Sequence, residues 1–335
     1  MPDDAKALHE SSIVIDAVCP LLRDHRHLDL YKRGGATAVA PTVGGSENAA
    51  ASLRAIGKWA KRIRQGDDLT LIRSAGDIEA AKRNGKLGII LHFQGTEPIE
   101  DDLDLVDAYK TAGVGMIQLT YNVKNRVGDG CEERTDAGLS RFGMDFIKRM
   151  NEARIVVDCS HTGYRTTMDA IEASTRPAVF SHAGALGVHP SPRNITDDQI
   201  KAVAATGGLV GAVGFPAFVS AAPKPSLDEF IRHIDYLVEM IGIDHVALGI
   251  DYYGGQHPIA SEAVAAAMYK SSIDSGRWSA KAYPPPPYHY PAGIETPEGF
   301  PNLTRRLVER GYKADDVRKI MGGNWVRVFR EVWGA

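Results

Sequence analysis

Two histidines, His161 and His182, each follow a serine at the end of a short apolar run. The runs read IVVDCSH at 155–161 and VFSH at 179–182. If the runs form neighbouring parallel strands, which lie about 4.8 Å apart, the two imidazoles stand at equivalent strand ends. They could then share one zinc-type ion at about 2.0–2.1 Å from each nitrogen. The alternative is a pair of structural histidines that hydrogen-bond to the backbone.

Two charged residues near the ends of apolar runs are further candidates. Asp251 ends DHVALGID at 244–251, where a carboxylate is costly unless it is paired, metal-bound or hydrated. It is a candidate metal ligand or general base toward a metal-bound water, and a turn or helix-capping role is the alternative. Arg193, in the loop HPSPRNITDD, could hold a carboxylate through two parallel hydrogen bonds or could be a solvated surface arginine.

The remaining histidine and cysteine patterns are less specific. His25 and His27 have an HxH spacing in RDHRHLD, but that segment is strongly polar and is better interpreted as a solvated face. Cys131 in GDGCEER is a candidate reactive thiol, whereas Cys159 beside valines fits a small core residue. The chain has three cysteines, an odd and small number that indicates free thiols in a reducing compartment.

Composition argues against several classes of protein. The 335 residues are 44% hydrophobic and 24% charged, which is typical of a globular protein. The net charge of -3 and the lack of a Lys/Arg block argue against nucleic acid or an anionic membrane as a partner. The N-terminus has no signal pattern, and no run approaches the roughly 20 apolar residues that span a bilayer. We therefore expect a cytoplasmic protein.

The elements that must position these residues alternate between two patterns. Helical-period segments at 101–113, 139–153, 166–174, 196–208 and 226–242 lie between short β-branched runs at 11–18, 87–93, 114–120, 154–160, 177–182, 208–215 and 244–251. This alternation predicts a parallel sheet, buried on both faces, with helices outside. With ATAVAP at 36–41 as an eighth strand and no GxGxxG motif, a (β/α)8 TIM-like barrel is favoured over an open sheet.

Capping residues and one irregular segment complete the expected architecture. Asp77 is predicted to cap a helix that runs to Gly85, and Ser226 to open the helix at 226–242. Residues 276–301, with PPPP at 284–287, are predicted to form a long loop or cover over the barrel, followed by C-terminal helices. We expect one barrel domain over 1–335, with its active site at the carboxyl ends of the strands.

The motifs occur in an order that resembles one known family. The chain contains QLTYNVKN, GLSRFG, MNEARIVVDCSH, VFSHAGALGVHPSPRNITDD, DHVALGIDYYGG and KIMGGNWVRVF in succession. Together they resemble the membrane (renal) dipeptidase family, peptidase family M19 of the amidohydrolase superfamily. The resemblance runs from about residue 75 to the C-terminus, and more loosely through the residues before it. It implies a (β/α)8 barrel, often a homodimer, that typically binds two zinc ions and cleaves dipeptides, sometimes with a D-residue on the C-terminal side.

The resemblance also implies roles for individual residues. His161 and His182 match two histidines that bind one zinc in the family, and Arg193 matches the arginine that holds the substrate carboxylate. Asp251 matches the aspartate that assists attack by water. Tyr121 stands in LTYN where the family has a substrate-binding histidine. Tyr121 and the Asn122 that follows it are therefore candidate substrate-binding residues.

Three metal-ligand positions of the family carry other residues in this chain. The family run Asp-Gly-His-Asn-Asp corresponds here to DAVCP at 16–20, in which Val18 and Pro20 have no ligand atoms. The bridging glutamate corresponds to Gln94, a neutral amide that does not offset the repulsion between two dications. We therefore expect at most one zinc ion, with Gln94 as a further ligand beside the two histidines, or no zinc at all. Cys19 is either a soft thiolate ligand or a buried thiol.

These assignments favour a dipeptidase-like hydrolase that cleaves an amide bond with a metal-activated water. In this hypothesis Asp251 is the base, Arg193 binds the substrate carboxylate and Tyr121 donates to the carbonyl oxygen. The first alternative is an amidohydrolase-type enzyme acting on a lactone or a modified amino acid. The second is a catalytically inactive protein that binds a small molecule. The expected partners are a small substrate with a free carboxylate and a second copy of the chain.

Overall fold

The computed structural model describes residues 3–334, in which a parallel sheet curls round a central axis. Its strands are β1 Ile15–Cys19, β2 Ala38–Gly44, β3 Leu69–Leu71, β4 Leu87–Ile89, β5 Leu91–Phe93, β6 Val114–Gln118, β7 Val156–Asp158, β8 Ala178–Ala183, β9 Leu209–Ala212 and β10 Val246–Leu248. A separate two-stranded ribbon consists of β11 Gln256–His257 and β12 Tyr288–His289.

Helices surround this sheet and follow most of its strands. They are α1 Asp3–Ser11, α2 Leu28–Arg33, α3 Ala49–Arg64, α4 Ala75–Arg83, α5 Asp104–Ala112, α6 Arg141–Glu152, α7 Tyr164–Ala173, α8 Asp197–Ala205, α9 Pro216–Val219, α10 Leu227–Ile241, α11 Glu262–Asp274, α12 Phe300–Glu309, α13 Ala314–Arg318 and α14 Asn324–Trp333. No helix within 3–334 is both long enough and apolar enough to cross a membrane.

The strand order confirms the predicted barrel architecture. The sheet runs β10-β9-β8-β7-β6-β5-β2, with β1 and β4 also paired to β2 and β3 paired to β4. Because β4 and β5 are successive parts of one run, the strands fill eight positions, and β3 is an addition at the edge. The contact between β10 and β1 uses a side chain: the Ile250 N–H donates to Asp16 Oδ1 at 2.9 Å.

The amino end of the barrel is closed by α14. Trp325 and Trp333 lie in one apolar cluster with residues from the amino-terminal parts of the strands, including Ile15 of β1. Their indole N–H groups donate to the carbonyls of Leu248 at 2.9 Å and Gly115 at 3.0 Å. Because α14 fills this end with apolar side chains, the polar strand-end residues are gathered at the opposite, carboxyl end.

Two glycines allow strands to approach closely near the candidate site. A Cβ atom at Gly249 would lie 1.8 Å from the carbonyl oxygen of Ser181, and one at Gly211 would lie 2.1 Å from the same oxygen. Such distances are far inside van der Waals contact. The two glycines therefore let the backbones after β10 and in β9 pack directly against β8, the strand that carries His182.

The helix boundaries confirm one predicted cap and correct another. Ser226 caps α10 in a capping box with Glu229, as its position indicated. The prediction for Asp77 was wrong by three residues: Ser74 is the N-cap of α4, and Asp77 is the third helical residue, whose carboxylate accepts from the Ser74 N–H. A capping box contains two residues that can serve as caps, which is why the sequence pattern was ambiguous.

Candidate active site at the carboxyl ends of the strands

The structure brings His161 and His182 together. The strands β7 and β8 pair in parallel, His182 lies in β8, and His161 follows β7 by three residues. The Nε2 atoms of the two rings are 2.9 Å apart, and both side chains are buried. His161 has a φ of 67°, a left-handed conformation that few residues other than glycine adopt. This backbone turn directs its ring back over the end of β8.

Hydrogen-bond partners determine the protonation of the His161 ring. Asn122 Nδ2 donates to the carbonyl oxygen of Arg277 at 2.9 Å, which fixes the orientation of the amide. Asn122 Oδ1 therefore faces His161 Nδ1, at 2.6 Å, and can only accept. Burial, with a further contribution from the Arg193 charge, lowers the pKa of His161 well below the usual histidine value. The ring is thus neutral, carries its proton on Nδ1 and has a free lone pair on Nε2.

A buried carboxylate determines the tautomer of His182 through a serine. Ser181 Oγ donates to Asp158 Oδ2 at 2.5 Å, so it accepts from His182 Nδ1 at 2.7 Å. Burial opposes ionisation of Asp158, but hydrogen bonds from His92 and Ser181 hold its pKa below the ordinary value. The Asp158 Oδ1 atom accepts from two backbone N–H groups, those of Ser160 and Ser181, each at 2.9 Å. His182 therefore also has a free Nε2 lone pair.

Two Nε2 lone pairs that face each other at 2.9 Å repel unless a cation or a proton lies between them. Burial, reinforced by the Arg193 charge, also lowers the pKa of His182 well below the usual value, which disfavours a shared proton. The donor chemistry of His161 and His182 therefore fits a single zinc-type ion, since both rings offer the neutral nitrogen that zinc prefers. Within 3–334, no group of three or more His, Cys, Asp or Glu side chains is arranged around an ion.

Gln94 lies in the wall of the central cavity. Its Oε1 atom accepts from Thr42 Oγ1 at 3.1 Å, and no hydrogen bond within residues 3–334 joins it to either imidazole. Pro20 lines the same cavity, while Val18 is completely buried. The Cys19 thiol is buried and donates to the Asp16 carbonyl at 3.3 Å. Since burial raises the pKa of Cys19 well above the ordinary value, it is a protonated core thiol.

Asp251 lies beyond the end of β10 and lines a cavity of about 1130 Å³. Like His161, it has a left-handed backbone conformation, with a φ of 62°. Burial raises the pKa of its carboxyl group to about 8, against an opposing effect of the Arg193 charge. A carboxyl group with a pKa near neutrality can both accept and return a proton, as a general acid–base catalyst must.

Arg193 is only 3% exposed, unlike an ordinary surface arginine. Its Nε donates to the Tyr283 hydroxyl at 3.3 Å, and its guanidinium lies 5.3 Å from the centre of the Phe218 ring. None of the carboxylates in residues 3–334 forms an ion pair with it. With His161 it lines a cavity of about 240 Å³. A buried guanidinium without a carboxylate partner can bind an anionic group of a ligand.

Tyr121 lines the larger cavity, and its ring stacks on His161, which lines the smaller one, with ring centres 4.1 Å apart. Its hydroxyl accepts from Trp278 Nε1 at 3.0 Å. Burial raises the pKa of Tyr121, so the hydroxyl keeps its proton. That proton remains available for an oxygen of a ligand.

The other candidates have less direct relations to the site. His25 and His27 were expected to lie on a solvated face, but both residues are half-buried. His25 packs on Trp59 with ring centres 4.0 Å apart, and His27 lines the large cavity. Burial raises the pKa of the Cys131 thiol to about 11, which leaves little reactive thiolate at neutral pH. The described cysteines are free, as expected, and Cys159 is buried.

Sequence reasoning missed the aromatic residues that cover the site. Trp278 and Tyr283 stack with ring centres 4.3 Å apart and an interplanar angle of 4°. The Tyr283 hydroxyl accepts from Asn122 Nδ2 at 3.1 Å and from Arg193. The signal was the number of aromatic residues in 276–301, a segment predicted to cover the barrel without specific residues being assigned to it.

Comparisons with known proteins cover most of the chain. Residues 3–267 and 288–334 match the model of the membrane dipeptidase family, peptidase family M19. A Klebsiella pneumoniae protein described as uncharacterised is 30% identical over 275 residues, which cover 79% of this chain and 89% of that protein. An uncharacterised dipeptidase of Schizosaccharomyces pombe is 28% identical over 273 residues, which cover 79% of this chain but 58% of that protein.

A solved structure extends the similarity over nearly the whole chain. It is described as an amidohydrolase from Pseudomonas aeruginosa and is 34% identical to this chain. The superposition covers 99% of each chain with a TM-score of 0.88. The fold of this chain therefore has a counterpart in a solved structure over nearly its whole length.

Proposed function

The chain belongs to the membrane dipeptidase family, peptidase family M19, whose members are hydrolases, and we propose that it cleaves the amide bond of a dipeptide or small peptide-like substrate. The observation that supports this most strongly is the pair of free Nε2 lone pairs on His161 and His182. Both tautomers are imposed by buried hydrogen bonds, which is an arrangement suited to holding a metal ion rather than to packing.

We propose that His161 and His182 hold a single zinc ion. When bound, zinc supplies a Lewis acid and a water of lowered pKa. The remaining chemistry belongs to the chain's own residues. Asp251 takes the proton of the attacking water on its carboxylate and returns it to the nitrogen of the leaving amine, so the carboxylate is regenerated in each turnover.

Arg193 and Tyr121 position the substrate in this proposal. The guanidinium of Arg193 pairs with the free carboxylate of the substrate, which offsets a buried charge that has no carboxylate partner within the described residues. The Tyr121 hydroxyl donates its proton in a hydrogen bond to the carbonyl oxygen as negative charge develops there. Asn122 Oδ1 accepts from His161 Nδ1 and orients that ring. Asn122 Nδ2 donates to the Arg277 carbonyl and to the Tyr283 hydroxyl.

The proposed function is tested with purified protein prepared without metal and then supplied with one equivalent of zinc. We expect hydrolysis of members of a dipeptide panel that includes both stereoisomers at the C-terminal residue. Activity that requires zinc, and that is lost with chelator, supports the proposal. Absence of hydrolysis across the panel at full zinc loading would contradict it and would favour the alternative of a binding protein.

Ser181→Ala is expected to weaken zinc binding by about 10-fold to 100-fold, since outer partners of ligating histidines have effects of this size. The substitution removes the link between Asp158 and His182 Nδ1, so the ring can take the other tautomer. Zinc affinity is measured by competition with a coloured chelator. The control is Ser52→Ala, because the Ser52 hydroxyl is buried and has no hydrogen-bond partner within the described residues. Equal zinc affinity in both variants would refute the tautomer argument.

Two further expectations stay proposals. A homodimer is proposed from family membership, and sedimentation of the purified chain measures it directly. A cytoplasmic location is proposed from the composition and the free cysteines.

A further inference from the structure

Residues 268–287, here called the cap segment, lie between the two stretches that match the family. The cap segment contains the end of α11 and the irregular run after it. It contacts three residues assigned to substrate binding. Trp278 Nε1 donates to the Tyr121 hydroxyl at 3.0 Å, the Arg277 carbonyl accepts from Asn122, and the Tyr283 hydroxyl accepts from Arg193. A part of the chain outside the family pattern therefore shapes the candidate site.

The cavity beneath the cap segment is larger than a dipeptide requires. It has a volume of about 1130 Å³, whereas pockets of about 300–1,000 Å³ hold drug-sized ligands. Strand-end residues, including Tyr121 and Asp251, form one part of its wall. Arg277, Trp278 and Tyr283 of the cap segment form another. A substrate can therefore extend from the strand ends to the cap segment.

Arg277 is the cation that the cap segment contributes to this wall. It is half-buried, its guanidinium lies 5.8 Å from the centre of the Tyr121 ring, and it forms no ion pair within residues 3–334. The other arginines of the cavity are neutralised: Arg23 pairs with Glu47 at 2.8 Å, and Arg26 pairs with Asp24. Arg277 is thus the cavity arginine that is left without a carboxylate among the described residues.

The acidic residues Glu97 and Asp251 of the cavity wall do not serve as ion-pair partners of Arg277. Glu97 and Asp251 both line the cavity, and neither is within ion-pair distance of Arg277. Burial raises the pKa of each, which reduces the negative charge they present. A half-buried guanidinium facing a cavity in this environment favours an anion supplied by a ligand.

We propose that Arg277 is a specificity-determining residue that binds a second anionic group of the substrate, so that the preferred substrates are peptide-like amides with an acidic side chain in addition to a free carboxylate. This inference rests on the proposed function for the nature of the substrate. It adds a recognition element from the cap segment, whereas Arg193 binds the carboxylate common to all such substrates.

The test uses two pairs of dipeptides that differ only in one charge. The pairs are glutamyl-alanine with glutaminyl-alanine, and alanyl-glutamate with alanyl-glutamine. Binding is measured by calorimetry on the zinc-loaded protein, and kcat/KM is measured separately. We expect at least one acidic dipeptide to bind about tenfold more tightly than its amide counterpart, the range for a hydrogen bond between charged groups. Arg277→Gln should abolish this preference, so that the acidic and amide members of each pair bind with equal affinity.

The control is Arg54→Gln, which removes an exposed arginine of α3 far along the chain from the cap segment and should preserve the preference. Equal binding within both pairs, a preference that survives in Arg277→Gln, or no binding of any of the four dipeptides overturns the inference. A preference that depends on Arg277 without any hydrolysis supports this inference and contradicts the proposed function. Hydrolysis with no preference for the acidic member supports the proposed function and contradicts this inference.

Discussion

His161→Ala is expected to abolish stoichiometric zinc binding and to lower kcat/KM for dipeptide hydrolysis more than about a hundredfold. Outer partners of a metal ligand already contribute 10-fold to 100-fold, and the ligand itself should contribute more. His161 and His182 supply the two converging nitrogens, and no cluster of three or more His, Cys, Asp or Glu side chains exists within 3–334. Losing one nitrogen leaves a single imidazole.

Elemental analysis of zinc per chain and steady-state kinetics on the same sample check this prediction. His257→Ala is the matched control, since His257 is exposed and lies in the β11 ribbon. It should retain zinc and activity. A His161→Ala protein that is folded and still holds one zinc per chain would show that the two histidines are structural.

Asp251→Asn is expected to have opposite effects on activity and stability. The amide cannot accept the proton of the attacking water, so kcat should fall by about 10²–10⁴, the usual contribution of a general base. The same change removes a carboxylate whose ionisation is opposed by burial. The variant should therefore unfold at a higher denaturant concentration than the wild type at alkaline pH, when both are metal-free.

The pH dependence follows from the raised pKa of about 8 in the folded chain, against 3.8 as the ordinary value. Between these values the folded protein binds a proton that the unfolded chain releases, so wild-type stability falls as pH rises. The advantage of Asp251→Asn should be absent near pH 4, grow towards pH 8 and then level off. Because Asp251 is half-buried and solvent screens part of the cost, we expect a gain of about 1–2 kcal/mol.

Urea unfolding of the metal-free proteins between pH 4 and 9 measures this effect. Asp228→Asn is the control, because the pKa of Asp228 is shifted in the opposite direction. Asp228 is ion-paired with Arg306 at 2.7 Å, and hydrogen bonds from that arginine lower its pKa. It should give no gain at any pH. If Asp251→Asn is no more stable than the wild type at pH 9, burial does not oppose ionisation of Asp251 as described.

The sequence by itself determined the barrel and the candidate residues at its carboxyl end. Alternation of apolar runs with helical-period segments is a local property, since each strand and helix forms through contacts along or beside its own run. The pairing of β7 with β8 followed from that order, so His161 and His182 could be placed together before any distance was known. The motif order likewise indicated the family that residues 3–267 and 288–334 match.

Only the tertiary structure decided the protonation of the two rings and the composition of the cavity wall. The His161 tautomer depends on Asn122, which lies 39 residues before it. The orientation of the Asn122 amide depends on the carbonyl of Arg277, which lies 155 residues after Asn122. A hydrogen bond is set by distance and angle between atoms, which no pattern of residue types records. For the same reason, the unpaired state of Arg277 could be recognised only after every neighbouring carboxylate had been located in space.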